Sequence, residues 1–136
     1  MYLVDTNIIS EARKRAKANP GVIRFWQTVR NEDIFLSTIT IGELRRGVDN
    51  LRHRGDLLQA TKLEAWLLQL CEEYAAHILN FDADCAQVWG KLMSAHNQNA
   101  LDKQIAATAL IHELTVVTRN IDDFRDTGVA LINPFE

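Results

Sequence analysis

Hydrophobic and polar positions along the chain form short apolar runs typical of strands and longer stretches with helical spacing. In one such stretch, Leu63, Trp66, Leu67 and Leu70 stand at i, i+3, i+4 and i+7, which predicts an amphipathic helix over residues 56–73. Because strand and helix candidates alternate, the pattern predicts an α/β fold whose parallel sheet is covered on both faces. The strand candidates are 2–4, 34–36, 78–81, 114–117 and 129–132, and further helices are predicted over 20–30, 83–96 and 101–112. Asn19 before Pro20 predicts the cap and first residue of the helix over 20–30.

Composition places the chain among globular proteins of ordinary size. With 136 residues, 47% apolar and 24% charged, it fits one compact domain spanning 1–136 and is not expected to be disordered. The net charge of −3 means that a polyanion has to be held by a local basic patch or by bound cations. Cys71 and Cys85 form no disulfide or zinc pattern, and no segment is typical of a leader peptide or a membrane span. We therefore expect a soluble, cytoplasmic protein.

Acidic residues recur directly after the predicted strands or at the helix starts beside them. In an open parallel sheet the ligand crevice lies beyond the C-terminal ends of the strands, so these positions are the candidates for a functional site. They are Asp5 after the first strand, Glu43 after the second, Asp102 before the fourth, and Asn120, Asp122 and Asp123 after the fourth.

Each of these residues also has a structural role available to it. Asp5 is placed to cap the first helix, and Thr40 with Glu43 matches a capping box in which the glutamate bonds back to the Thr40 amide. Asn120 is the expected cap of the short helix that follows the fourth strand. Taken one at a time, these residues are compatible with ordinary helix starts.

Asp102 is harder to explain as a surface charge. A carboxylate in the first helical turn gains ~0.3–1 kcal/mol from the helix dipole. Yet Asp102 shares a helix face with Ile105, Ala106 and Ala109, which are expected to pack against the sheet. If the acids converge, protons or a divalent cation must relieve their repulsion, and hard oxygen ligands without cysteine suit Mg²⁺ or Mn²⁺.

Several segments spread over the whole chain carry acidic, small and polar residues in a distinctive order. They are Leu3-Val4-Asp5-Thr6-Asn7, Thr40-Ile41-Gly42-Glu43-Leu44-Arg45-Arg46-Gly47, Asp102 with Ile105-Ala106-Ala107-Thr108-Ala109-Leu110, Val117-Thr118-Arg119-Asn120 with Asp123-Phe124, and Asn133-Pro134. In this order and spacing they resemble the PIN-domain ribonucleases, and within that family the VapC-type toxins of bacterial toxin/antitoxin pairs.

The resemblance implies a three-layer α/β/α domain with a parallel sheet of about five strands, acting as an Mg²⁺- or Mn²⁺-dependent endoribonuclease. Asp5, Glu43 and Asp102 match the first three acids of the family. For the fourth position we expect Asp123 with Asn120 assisting, and Asp122 is the reserve candidate. The metal is then held chiefly by Asp5 and Asp102, with Asp123 as a further ligand. The proline or glycine that usually precedes the third acid is replaced by Ala100-Leu101.

The partners that the resemblance implies are RNA, a VapB-like antitoxin and a second copy of the chain. Arg45 and Arg46, within a turn of Glu43, are the candidates for contact with RNA phosphates. The apolar face of the helix over 56–73, with Phe25 and Trp26, would form a groove for an antitoxin helix or a second copy if part of it is exposed.

Two other functions are compatible with parts of the pattern. An aspartyl phosphatase would use Asp5 as its nucleophile, but it normally needs an acid two positions later, where this chain has Asn7. A catalytically inert RNA-binding or regulatory module of the same fold is the non-enzymatic alternative. Thr6, Asn7, Thr118 and Asn120 could hydrogen-bond the acids or metal-bound water, and for Thr6 and Thr118 a backbone cap is the expected role.

Overall fold

A five-stranded parallel sheet forms the centre of the computed structural model, which describes all 136 residues. The strands are β1 (Tyr2–Val4), β2 (Ile34–Ser37), β3 (Ile78–Leu79), β4 (Thr115–Val117) and β5 (Leu131–Ile132), arranged in the order β3-β2-β1-β4-β5. Every neighbouring pair is parallel, with Leu3 opposite both Phe35 and Val116. The predicted parallel sheet of about five strands is therefore confirmed.

Seven α-helices connect and cover the strands. They are α1 (Thr6–Ala12), α2 (Pro20–Thr28), α3 (Thr38–His53), α4 (Leu57–Glu73), α5 (Ala83–Ala95), α6 (Ala100–His112) and α7 (Ile121–Phe124). Short 3-10 turns lie at Arg15–Lys17, Asn31–Asp33, Ala75–His77 and Arg125–Thr127. No helix combines the length and the apolar character that crossing a bilayer requires.

The hydrophobic core is divided into two parts by the sheet. Successive residues of a strand point to opposite faces, so Val4 of β1 packs with Ile8 and Val22 while Leu3 packs with Ile105 on the other side. The first part is covered by α1 to α4 and the second by α6 and α7. These two cores give the three-layer α/β/α architecture that the sequence predicts.

Small side chains let α6 lie close to the sheet. Ala106, Ala107 and Ala109 are completely buried, and Ile105 beside them is also inaccessible. Because methyl groups take little room, the helix axis can approach the strands and its first turn is held at their C-terminal edge. Asp102 in that first turn is thereby fixed in position.

The start of α2 is tied to the last residues of the chain. Asn19 caps the helix by accepting from the Gly21 amide at 2.9 Å, and the same oxygen accepts from the Glu136 amide at 3.0 Å. A Cβ atom on Gly21 would lie only 1.9 Å from the Pro134 carbonyl oxygen, so only glycine fits this contact without a backbone shift. The Asn19 cap predicted from the sequence is present.

The predicted capping box at Thr40 and Glu43 is wrong. Helix α3 begins three residues earlier than that motif requires, because extended Ser37 caps it by accepting from the Ile39 amide at 3.0 Å. Thr40 therefore lies inside the helix, where its hydroxyl is buried without a hydrogen-bond partner. The carboxylate of Glu43 is consequently free for another contact.

Candidate active site

Asp5 lies at the C-terminal end of the central strand and is only 3% exposed. Its backbone amide continues the sheet by donating to the Val117 carbonyl oxygen at 2.9 Å. Its carboxylate accepts from the Thr118 hydroxyl at 2.7 Å, from the Thr6 amide at 2.8 Å and from the Asn7 side-chain amide at 3.3 Å. Asp5 thus caps α1, as the sequence suggests, but the Thr118 hydroxyl also fixes it from the neighbouring strand.

Glu43 reaches the same region from the second turn of α3. Its Oε1 atom accepts a hydrogen bond from the Thr6 hydroxyl at 2.7 Å. Of the two roles open to Thr6 and Thr118, the structure shows contact with the acids, because each hydroxyl donates to one of them. The Thr118 hydroxyl has both roles, because it donates to Asp5 and its oxygen also accepts from the Asn120 backbone amide at 3.0 Å.

Asp102 shows most clearly that the acids meet. Its pKa is raised from 3.8 to about 7, first by burial, then by the negative charges of Asp5, Asp123 and Glu43, and last by a hydrogen bond to Asp123. Burial also raises the pKa of Asp5 against its hydrogen bonds, and the charges of Glu43 and Asp123 act in the same direction. Four acids from distant parts of the chain therefore lie within electrostatic reach of one another.

The two adjacent aspartates of α7 point in different directions. Asp123 interacts with Asp102 and Asp5, whereas the Asp122 side chain is 83% exposed and pairs with Arg125 at 3.1 Å. Of the two aspartates, Asp123 is therefore the one that lies beside the other acids. Asn120 stands at the N-terminus of α7, but its side chain makes no capping hydrogen bond, contrary to the cap expected from the sequence.

The donor set of this cluster suits a hard divalent cation. No three acidic, histidine or cysteine side chains are close enough to form a ready-made cage. Mg²⁺, however, is usually held by one or two carboxylates, with water and substrate phosphate as the other ligands. The pKa values of Asp5 and Asp102 are raised by burial first and by the negative charge of the neighbouring acids second, and a bound cation would compensate that charge.

The arginines expected to contact phosphate lie in different surroundings. Arg45 donates to Glu64 of α4, which also accepts from Arg52 at 2.6 Å, and these two hydrogen bonds lower the pKa of Glu64 to about 2. The guanidinium of Arg45 is therefore held at the contact between α3 and α4. Arg46 is exposed and makes no ion pair, so it remains the freer of the two candidates.

Two contacts near the site were missed by sequence reasoning. Lys103, next to Asp102, is only 3% exposed, although a lysine in an exposed first turn gives no signal of burial. The Arg119 guanidinium lies over the Phe135 ring at 4.7 Å instead of forming the salt bridge that is the usual structural role of such a residue. The Arg119 amide also donates to the Asn7 side chain at 3.1 Å, which helps to fix the loop after β4.

Comparisons with known proteins agree with this architecture. Residues 2–130 match the PIN domain family. The chain is 38% identical to the toxin FitB of Neisseria gonorrhoeae, in an alignment that covers 99% of each chain. It is 33% identical to the VapC ribonuclease Y4jK of Sinorhizobium fredii, and that alignment covers 100% of this chain and 99% of the relative. The crystal structure of FitAcB from N. gonorrhoeae superposes with a TM-score of 0.86 at 36% identity, covering 98% of each chain.

Proposed function

This chain belongs to the PIN domain family, and from that premise we propose that it is an Mg²⁺- or Mn²⁺-dependent endoribonuclease acting as the toxin of a toxin/antitoxin pair. The observation that carries the proposal is the meeting of Asp5, Glu43, Asp102 and Asp123 at one edge of the sheet. A relative named as a toxin and another named as a VapC ribonuclease, each matched over nearly its whole length, support the same function.

We assign the metal to Asp5 and Asp102, with Asp123 as a further ligand. When bound, the cation supplies a water of lowered pKa and charge compensation at the scissile phosphate. Thr118 holds the Asp5 carboxylate in one orientation, and Thr6 occupies Oε1 of Glu43. The second oxygen of Glu43 is then left to accept a proton from the attacking water. Asn120, whose side chain does not cap α7, is left to orient water or phosphate.

Cleavage of RNA by the purified protein tests this proposal. With Mg²⁺ or Mn²⁺ the wild type is expected to cut, and Asp5→Asn or Asp102→Asn to lose about 100-fold or more of the rate, because each removes charge from the metal-binding cluster. Asp122→Asn is the matched control, since its carboxylate faces water and pairs with Arg125. It should cleave like the wild type.

Other outcomes identify the alternatives. RNA binding without cleavage in the wild type would favour the inert regulatory module, and equal loss in Asp122→Asn and Asp102→Asn would contradict the assignment of the cluster. The aspartyl phosphatase is disfavoured because residue 7 is asparagine and its amide bonds to Asp5 instead of exchanging protons.

We place the antitoxin in an apolar groove between α1, α2 and α4. The groove has a volume of about 260 Å³ and is lined by Ile9, Ala12, Trp26, Trp66 and Leu70. These features suit an amphipathic helix, which is one common way to fill such a groove.

Charge at the groove rim indicates the character of the partner. Two exposed arginines, Arg13 and Arg15, line it against one exposed acid, Glu73, and the Arg13 guanidinium lies 5.7 Å from the Trp66 ring centre. A VapB-like antitoxin segment with apolar residues on one face and acidic residues beside them fits this surface. A homodimer and a cytoplasmic location belong to the same proposal, and the free cysteines, Cys71 and Cys85, accord with a reducing compartment.

A further inference from the structure

A polar cavity of about 500 Å³ opens beside the acid cluster, between the α5–α6 connection and α7. Of its ten lining residues only one is hydrophobic, so it is unsuited to an apolar ligand. Asp123 lines the cavity and also interacts with Asp102 and Asp5, so the cavity is continuous with the proposed cleavage site. A volume of this size lies in the range of pockets that bind small molecules.

The loop that forms one wall is held rigidly from within. The buried Lys103 ammonium donates to the His96 carbonyl at 2.6 Å and to the Gln98 carbonyl, so a charged donor fixes both ends of this turn. On the other side, the Trp89 indole donates to the Ala100 carbonyl at 3.1 Å. A loop built only to join two helices does not require a buried cation to set its shape.

The side chains on this wall remain available to a ligand. Asn97, Gln98 and Asn99 are exposed and their amides make no hydrogen bond within the protein. Asn99 takes a left-handed conformation with φ of 56°, and it stands at the start of α6 without capping it. Primary amides carry both donors and acceptors, which is the chemistry that reads the edge of a nucleobase.

The opposite wall determines which part of a nucleotide can enter. Asp126 lines it beside Asp123, so a phosphate group would meet unpaired negative charge there, whereas Asp122 is paired with Arg125 at 3.1 Å. A neutral base with N–H groups on its edge can instead donate to the Asp126 carboxylate. His96, which also lines the cavity, has an aromatic ring of the kind on which unpaired RNA bases stack.

We propose that this cavity is a nucleobase subsite, which holds one unpaired base of the substrate RNA next to the scissile phosphate and sets the sequence preference of the cut. The inference rests on the proposed ribonuclease function. Asn97 and Gln98 read the edge of the base, His96 stacks on it, and the Asp126 carboxylate favours bases that present N–H donors. Lys103 is a positioning residue, because it acts only through the loop carbonyls.

The first experiment tests base binding without any cleavage. Side-chain amide resonances are followed by nuclear magnetic resonance while guanosine, adenosine, cytidine or uridine is added to the metal-free protein. We expect the Asn97, Gln98 and Asn99 resonances to shift with at least one nucleoside, while that of Gln59, an exposed amide on α4, stays unchanged. Absence of shifts in the loop with all four nucleosides would overturn the proposal.

The second experiment measures the sequence preference directly. A pool of RNA with randomised sequence is cut by the wild type, by Gln98→Ala and by the matched control Gln59→Ala, and the product ends are sequenced. Gln98→Ala is expected to reduce the base preference at one position beside the cut about fivefold, the effect of about 1 kcal/mol for one lost hydrogen bond. The Gln59→Ala profile should match the wild type.

The two experiments separate the subsite from the function on which it rests. If the wild type cuts no RNA, the ribonuclease proposal fails, and the nucleoside titration still decides whether the cavity binds a base. If the wild type cuts and Gln98→Ala keeps the full wild-type preference at every position, the cavity does not read the substrate and the inference is wrong.

Discussion

At the scale of single residues, Asp102 combines function with a cost in stability. Its folded-state pKa of about 7 lies above the ordinary value of 3.8, so between these pH values the folded protein binds more protons than the unfolded chain. Stability of the metal-free protein must therefore fall as pH rises through this range. Below pH 3.8 the carboxyl is protonated in both states and the penalty is absent.

Asp102→Asn is expected to remove this pH dependence. The variant should be more stable than the wild type at pH 8 by on the order of 1 kcal/mol, allowing for solvent screening of a partly exposed group, and nearly equal to it at pH 4. Urea unfolding in the presence of a chelator measures both values. Asp122→Asn, which alters a carboxylate outside the cluster, should leave the difference between the two pH values as in the wild type.

Thr118 provides a second test at this scale. Its hydroxyl is the strongest influence lowering the pKa of Asp5, so Thr118→Val should raise that pKa further and move the acidic limb of the cleavage profile to higher pH. The rate should fall about 10–100-fold, the usual effect of losing a partner that orients a metal ligand. Thr61→Val, on the exposed side of α4, is the control, and an unshifted profile in Thr118→Val would contradict the role.

A site residue can be predicted from the sequence when the features that mark it lie nearby in the chain, and not when its contacts come from distant segments. Asp5 and Asp102 could be selected because each stands at a strand end or helix start, and Glu43 because it follows the second strand. Asp123 could not be separated from Asp122, because only the packing of α7 decides which of two adjacent side chains points inward. The pairing of Arg45 with Glu64 was also hidden, since these residues lie on different helices and 19 positions apart.

At the scale of elements, helix starts were predicted well where a single residue fixes them and poorly where two motifs compete. Asn19 before Pro20 gave the start of α2 correctly. The capping-box pattern at Thr40 was misleading, because extended Ser37 offers an earlier cap directly after β2. The capping-box motif does not reveal that the helix already begins at Thr38, two residues before Thr40.

The contact of α2 with residues Asn133 to Glu136 can be tested by a pair of glycine substitutions. Gly21→Ala should destabilise the protein by about 1–3 kcal/mol, because its Cβ would meet a backbone carbonyl that cannot move alone. Gly90→Ala, in the exposed middle of α5 with open space around it, should stabilise by about 0.5–1 kcal/mol. Urea unfolding measures both, and a neutral Gly21→Ala would show that this segment is not held as described.

At the scale of the whole molecule, the strand order explains why the acids converge. The sheet places β1 between β2 and β4, so residues following these three strands share one edge. Alternation of strands and helices predicted a parallel sheet, but the order of its strands came only with the resemblance to a known family. The hydrophobic periodicity of one segment does not indicate which other strand will pair with it.

The proposed antitoxin groove is tested at this scale, because α1, α2 and α4 all contribute to it. Ala12→Glu places a charge among apolar residues and should weaken binding of a VapB-like antitoxin about tenfold or more, while RNA cleavage is retained. Ala86→Glu makes the same exchange on exposed α5, across the sheet, and should bind normally. Calorimetric titration measures both affinities, and equal binding by the two variants would rule out this groove.

The alanine face of α6 also has an evolutionary consequence. Since Ala106 and Ala109 are completely inaccessible in the core beside the sheet, almost any larger side chain there would push the helix from the strands and move Asp102 with it. We therefore expect substitutions to be tolerated better in the connection that precedes the helix than on this face. Directed selection for new cutting preferences should begin with libraries at positions 97 and 98, where diversity leaves the catalytic scaffold intact.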